Sequence, residues 1–220
     1  MSNSSVHKNL DEYLVRAGVA IANAHQQPDI FAAIVEYGYD EAVLEQGQAL
    51  LDAVYAADST QRGAYGAQYG ATAALNEMWA KADRVYSDHR KMAAIVLRDA
   101  PDRLMALKLD QRKKPALSDW LTQAKLFYAN LLANPDDLAA MARFRMTRKR
   151  LAEGQALAEQ TETRYQTQQE AKGQAQNSTK ARNKALAELH RWMGEFKTIA
   201  KIALADDAQL LEALQFGVVK

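Results

Sequence analysis

Shifted by 107 residues, the chain aligns with itself without a gap, Leu10 falling on Leu117 at one end and Leu107 on Leu214 at the other. Roughly 30 of the 105 aligned pairs are identical, where about 8 are expected by chance for so alanine-rich a composition. The clearest blocks pair Gly47-Gln48-Ala49-Leu50 with Gly154-Gln155-Ala156-Leu157, Pro28-Asp29 with Pro135-Asp136, and Ile95, Leu97 and Asp99 with Ile202, Leu204 and Asp206. The simplest reading is tandem duplication of one unit, residues 6–110 and 113–217. An architecture assigned to one copy must therefore serve the other.

That architecture is expected to be all-α. Four prolines and ten glycines are spread through 220 residues otherwise rich in Ala, Leu, Gln, Glu, Lys and Arg, and β-branched residues are sparse. The duplication lets each helix signal be checked twice. Asn9, with Glu12 three residues on, and Ser118 are candidate caps for a first helix running to about Ala133 in the second copy. Asn134-Pro135-Asp136-Asp137 and Gln27-Pro28-Asp29 open a short second helix, ending near Tyr37 and Phe144. Asp40 and Thr147 are good caps for a long third helix. Asp99-Ala100-Pro101 and Asp206-Asp207-Ala208 precede a last short one, placed at 103–108 and 210–215.

Between Asp40 and Leu97 the apolar spacing is strong at both ends and fades in the middle. In the second copy a 3-4 alternation runs through Ala175, Thr179, Arg182, Leu186, Leu189, Met193, Phe196, Ala200 and Ala203, a stripe suited to packing on another helix. The stretch before it has almost nothing to bury. Glycine costs about 1 kcal/mol inside a helix, and the first copy holds Gly63, Gly66 and Gly70 there. The polar waist around Gly66 and Gly173 is therefore read as the tip of a hairpin. Each copy becomes a bundle of two long antiparallel helices plus shorter ones, the copies related by a pseudo-two-fold or packed as one body. The alternative is a continuous helix of nearly 60 residues, about 90 Å long.

The chain lacks cysteine, which excludes disulfides, thiolate metal sites and a cysteine nucleophile, and suits a reducing compartment. No apolar run approaches a membrane span, and MSNSSVHKNL lacks the apolar core of an export signal. Cytoplasm, with no membrane partner, is the expectation. Charge divides unevenly: residues 6–110 hold 10 Lys and Arg against 15 Asp and Glu, and 113–217 hold 16 against 12. Glu36 aligns with Arg143, Glu41 with Arg148 and Glu77 with Lys184. Across a pseudo-two-fold such swapped signs attract, so Glu36 or Glu41 is expected near residues 143–150.

The search for chemistry finds little. There is no Glu-x-x-His for a di-metal carboxylate site, and His7, His25, His89 and His190 align with none of one another. No metal, cofactor or catalytic group is assigned. His89 aligns with Phe196 and reads as a half-buried aromatic on a core stripe. Tyr13, Trp79, Trp120 and Trp192 also read as packing aromatics. Nucleophile elbows and phosphate loops are missing. Arg143, Arg145, Arg148, Lys149 and Arg150 form a basic surface with Phe144 among them, set against a nearly neutral chain and an acidic counterpart segment. Asn23/Asn130, Gln48/Gln155, Gln61/Gln168, Thr72/Thr179, Asn76/Asn183 and Arg84/Arg191 are polar positions shared by both copies. Asn76, Arg84, Asn183 and Arg191 are candidates either to fix helix register or to line a cavity repeated twice. The functional expectation is a non-enzymatic helical interaction or scaffold protein with a protein partner, as monomer or homodimer. The alternatives are a bundle enclosing a small apolar ligand and, behind it, nucleic-acid or phosphate binding through the basic surface.

Overall fold

The computed structural model describes residues 3–216, with side chains from Leu10 onward. Among them every regular element is an α-helix: α1 (Asn3–Gln26), α2 (Pro28–Val35), α3 (Glu41–Val96), α4 (Pro101–Ala106), α5 (Leu117–Ala133), α6 (Pro135–Ala142), α7 (Arg148–Ala203) and α8 (Ala208–Ala213). No helix of the described residues is long and apolar enough to cross a membrane.

Local signals set most helix starts. Asn134 accepts from the N–H groups of Asp136 and Asp137 at 2.9 and 3.0 Å, Asp40 from Val43 at 3.0 Å, Thr147 from Arg150 at 3.4 Å, and Asp207 from Gln209 and Leu210 at 3.1 Å. Each satisfies donors that a first helical turn leaves open. Four starts differ from expectation. Helix α1 already runs from Asn3, so Asn9 lies inside it rather than capping it, and its side chain falls outside the described ones. Helix α5 starts at Leu117 because extended Ala116 offers its carbonyl to Trp120 at 2.8 Å, which puts Ser118 in the first turn. Helices α4 and α8 start two residues early, α4 with Pro101 at its first position, where a missing N–H costs nothing.

The expected hairpins do not form. Helices α3 and α7 are each one uninterrupted helix of 56 residues. The waist lacks proline and any two-residue turn signal, and a Cβ at Gly63, Gly66 or Gly70 would meet nothing within 4 Å. Those glycines cost propensity without forcing a bend. What the waist buries is small and polar. Thr161 and Ala175 are almost fully buried. Buried Gln61 donates to Thr179 at 3.0 Å and accepts from Arg182 at 2.8 Å. Polar contacts hold this stretch where an apolar stripe is absent.

Each long helix carries its two apolar ends into different cores. Two compact units result. Unit 1 combines the residues up to Ala64 with those from Ala175 onward; unit 2 is Tyr65–Gln174. The bundles therefore do not coincide with 6–110 and 113–217, because only a hairpin would have returned each stripe to its own copy. In unit 1, Leu14, Ile21, Ile30, Ile34 and Leu44 pack with Leu189, Phe196, Ala200 and Leu214. In unit 2, Tyr86, Ala93 and Leu107 pack with Trp120, Phe127, Tyr128, Leu131, Met141 and Leu151. Residues 107 apart recur in matching places. Asn23 donates to the carbonyl of Ala213 at 2.7 Å, and Asn130 to that of Ala106 at 2.8 Å. Left-handed backbone follows α2, α4, α6 and α8 at Gly38, Lys108, Arg145 and Gln215, where paired N–H donations close each helix end as a Schellman turn.

The cores differ in a buried ion pair. Asp137, buried in unit 2, accepts from Arg103 Nε at 3.0 Å and also from its terminal nitrogen; the residues 107 positions away are Ile30 and Leu210, both in unit 1's apolar core. Glycines of the shared Gly-Gln-Ala-Leu block face rings. A Cβ on Gly47 would fall inside the indole of Trp192, and one on Gly154 against the phenol of Tyr128.

Two predictions follow from this packing, both read by urea denaturation. Gly154→Ala should cost about 1–3 kcal/mol by overpacking, whereas the same change at open Gly66 should add about 1 kcal/mol of stability. Arg103→Leu alone should cost about 3–5 kcal/mol by stranding the Asp137 charge, while Arg103→Leu with Asp137→Ile should recover all but about 1 kcal/mol.

Candidate interaction groove

Unit 1 has an open groove of about 310 Å³ between α1 and the C-terminal half of α7. Tyr13, Arg16 and Ala17 reach it from α1, and His190, Met193, Gly194 and Lys197 from α7. The spacings of three, four and seven residues place each set on one helix face. Phe216 forms the floor, edge-on to Phe196 at 5.5 Å between ring centroids. Lys197 Nζ lies 5.7 Å from the Phe216 ring centre, a cation–π contact. Gly194 keeps the space open, since no atom lies within 4 Å of where its Cβ would be.

Two rings form one wall. Tyr13 stacks on His190, centroids 4.2 Å apart and 18° from parallel. The Tyr13 hydroxyl is buried without a hydrogen-bond partner among the described residues, and burial raises its pKa, so it stays a neutral O–H donor. The groove thus collects donors and cationic heads around an apolar floor, with no carboxylate in its lining.

The positions 107 residues away lie in unit 2, where they hold a segment of the chain and also border an open cavity of about 410 Å³ beside Ser87, Arg90 and Leu109. Trp120 and Gln123 come from α5, Asp83, Ser87 and Arg90 from α3, and Leu109 takes the place of Phe216. The segment joining α4 to α5 lies across them. Lys113 Nζ donates to both Asp83 oxygens at 2.7 Å and to Ser87 Oγ at 2.9 Å. Trp120 Nε1 donates to the same Asp83 carboxylate at 2.7 Å. Arg90 donates to the carbonyls of Lys108, at 2.7 Å, and Gln111. Gln123 accepts from the Lys114 N–H at 3.1 Å and donates to the Arg112 carbonyl at 3.3 Å. Side chain and main chain of the segment are both gripped.

The residues singled out from sequence lie elsewhere. Asn76, Arg84, Asn183 and Arg191 are all exposed, on α3 and α7, and line no interior. Shared polar residues that bond to other helices include Asn23, Asn130, Gln61 and Thr179. Arg143, Arg145, Arg148, Lys149 and Arg150 are exposed as well, with Phe144 at 48%. Arg148 donates to the Leu132 carbonyl and Arg150 to that of Arg145, while Glu41 pairs with His25 at 3.6 Å. Each of these three has its partner within its own unit. Arg16, His190 and Lys197 were not flagged by sequence reasoning; the available signal was Asp83 against His190 and Gln123 against Arg16 at aligned positions.

Among the described residues no group of three or more His, Asp or Glu is placed to hold a metal ion. His89 is buried in the unit 2 core, Nδ1 3.0 Å from the Tyr128 hydroxyl. Burial lowers its pKa, with Arg150 adding to the effect and Asp88 opposing it. The unfolded chain then takes up a proton near the ordinary histidine value of about 6.5 while folded His89 still resists. Stability contributed by neutral His89 is therefore full above that pH and lost as pH falls below it. The melting temperature should drop between pH 7 and pH 5 by more in the native chain than in a His89→Phe/Tyr128→Phe variant, followed by circular dichroism. No protein-family profile, curated protein or solved structure matches this chain.

Proposed function

We propose that the chain is a non-enzymatic interaction or scaffold protein of the cytoplasm. In this reading it descends from tandem duplication, its copies exchanging halves about a pseudo-two-fold, and it binds a protein partner through the unit 1 groove. One observation carries the reading: among the described residues unit 1 has an open groove lined by Met193 and Phe216, with Arg16 and Lys197 and no carboxylate, and with the lysine over the Phe216 ring. Such a mixture of apolar anchor and polar groups is typical of interface centres.

The small-ligand alternative draws on the same cavity but has less support. At about 310 Å³ and open to solvent, it sits at the lower end of ligand-pocket sizes, and the unit cores are filled with rings. The basic surface at Arg143, Arg145, Arg148, Lys149 and Arg150 is exposed throughout, yet two of its arginines are committed to nearby carbonyls.

A photo-crosslinking residue placed at Gly194 tests the interaction reading in living cells. A discrete protein adduct is expected from position 194, none from the equally open Gly66, and Lys197→Glu should abolish the first. Equal labelling from both positions, or none from Gly194, would defeat the proposal.

A further inference from the structure

We propose that the turn between α6 and α7, with the first turn of α7, binds the phosphate backbone of a single-stranded nucleic acid while Phe144 stacks on a base. The site belongs to unit 2 and goes beyond the reading of the unit 1 groove. Arg143, Arg145, Arg148, Lys149 and Arg150 are all exposed, and Phe144 among them is 48% exposed. Among the described residues none of the five cations forms an ion pair with a carboxylate. Arg148 and Arg150 each give one N–H to a backbone carbonyl, of Leu132 and of Arg145. That bond holds each guanidinium in place and leaves the other donors of its fork open. The backbone beneath is fixed too: the N–H groups of Arg145 and Met146 donate to the carbonyls of Ala142 and Met141 at 3.0 and 3.2 Å, and Met146 packs on the unit 2 core.

The cations sit where the fold itself gains nothing from them. Arg145 has a left-handed φ of 64° at the position where unit 1 has Gly38, and a Cβ there meets a strain that glycine avoids. The first turn of α7 holds Arg148, Lys149 and Arg150 and no acid, so three cations face the positive end of the helix dipole, whereas α3 begins with Glu41. Five like charges within eight residues also repel one another. Unit 1 closes the same turn, with Gly38 and Tyr39 donating to Val35 and Ile34, using three acids and no Lys or Arg over residues 36–43. The turn therefore does not require these charges. A chain of phosphates would neutralise the five cations and lie favourably on the positive end of α7. The exposed ring in their midst selects nucleic acid among polyanions. Unpaired bases offer faces to an aromatic side chain, while a duplex keeps those faces stacked.

A fluorescein-labelled oligothymidylate of about twelve nucleotides, titrated into the full chain and read by anisotropy, tests the assignment. The affinity is expected to fall with salt along a log–log slope between about −2 and −3.5, as for contact with roughly three to five phosphates. Arg143→Gln/Arg145→Gly/Lys149→Gln should weaken binding at least about tenfold while melting no lower than the native chain. Lys180→Gln/Arg191→Gln/Lys201→Gln removes the same charge from exposed positions of unit 1 and should change the affinity less than about twofold. Phe144→Ala should cost about tenfold at fixed salt and leave the slope unchanged. No binding at low salt, or equal weakening by the two triple variants, would overturn the proposal, and a Phe144→Ala complex of full strength would overturn the stacking. A chain that ignores the oligonucleotide but is retained on phosphatidylglycerol vesicles through the same residues would assign the patch to a membrane surface and overturn the proposal as well. Crosslinking at Gly194 is independent of all these results, so the unit 1 reading stands or falls separately.

Discussion

The unbroken hydrogen-bond ladder through the waists of α3 and α7 is the constraint on which the rest of this structure depends. Each long helix carries an apolar stripe at both ends and a polar middle, and the path of the middle decides which partners the ends can meet. Had it turned, Leu44 and Val54 would have shared a core with Tyr86 and Ala93. Because it runs on, the first pair packs with Leu189 and Phe196 and the second with Trp120 and Phe127. The reciprocal bonds Asn23 to Ala213 and Asn130 to Ala106 exist only in that arrangement. A helix interior satisfies every backbone group locally, whereas a tip would need its own turn chemistry. About 1 kcal/mol per glycine is a small cost against that requirement.

Caps and short helices were legible in the sequence because their causes are local. Asn134, Asp40 and Thr147 each act within three residues of themselves, and Pro101 and Pro135 fix where a helix begins through their own rings. The waist was not legible, because a polar run looks the same at a hairpin tip and along a solvated helix. Its buried contacts, Gln61 with Thr179 and Arg182, are polar and 118 and 121 residues apart, so a scan for apolar periodicity passes over them. The division into units follows from the waist and was lost with it. The groove was hidden for a related reason. Tyr13 and His190 stack across 177 positions of sequence, and each reads alone as an ordinary helical residue.

Near-identity of plan makes the remaining differences between the units informative. The unit 1 core uses Ile30 and Leu210 where unit 2 uses Asp137 and Arg103. A buried ion pair offers little net stability over apolar residues of similar volume, yet it penalises any arrangement that leaves one charge alone. Asp137 also lies in the first turn of α6, beside the Asn134 cap, so the pair ties the start of α6 to α4. Unit 2 thereby gains a fixed relation between two short helices next to the segment that crosses its groove.

The positions around the two grooves also differ in charge. Asp83 corresponds to His190, Gln123 to Arg16, and the cation at Arg90 is kept as Lys197. In unit 2 the carboxylate of Asp83 holds both Lys113 and Trp120 Nε1, so its acceptor sites are filled by donors of the same unit. In unit 1 no carboxylate lines the groove, and Arg16 and Lys197 rim it with positive charge. Ser87, which contacts Lys113, corresponds to Gly194, where nothing lies within 4 Å of the missing Cβ. Equivalent positions thus satisfy a local cation in one unit and present cations in the other.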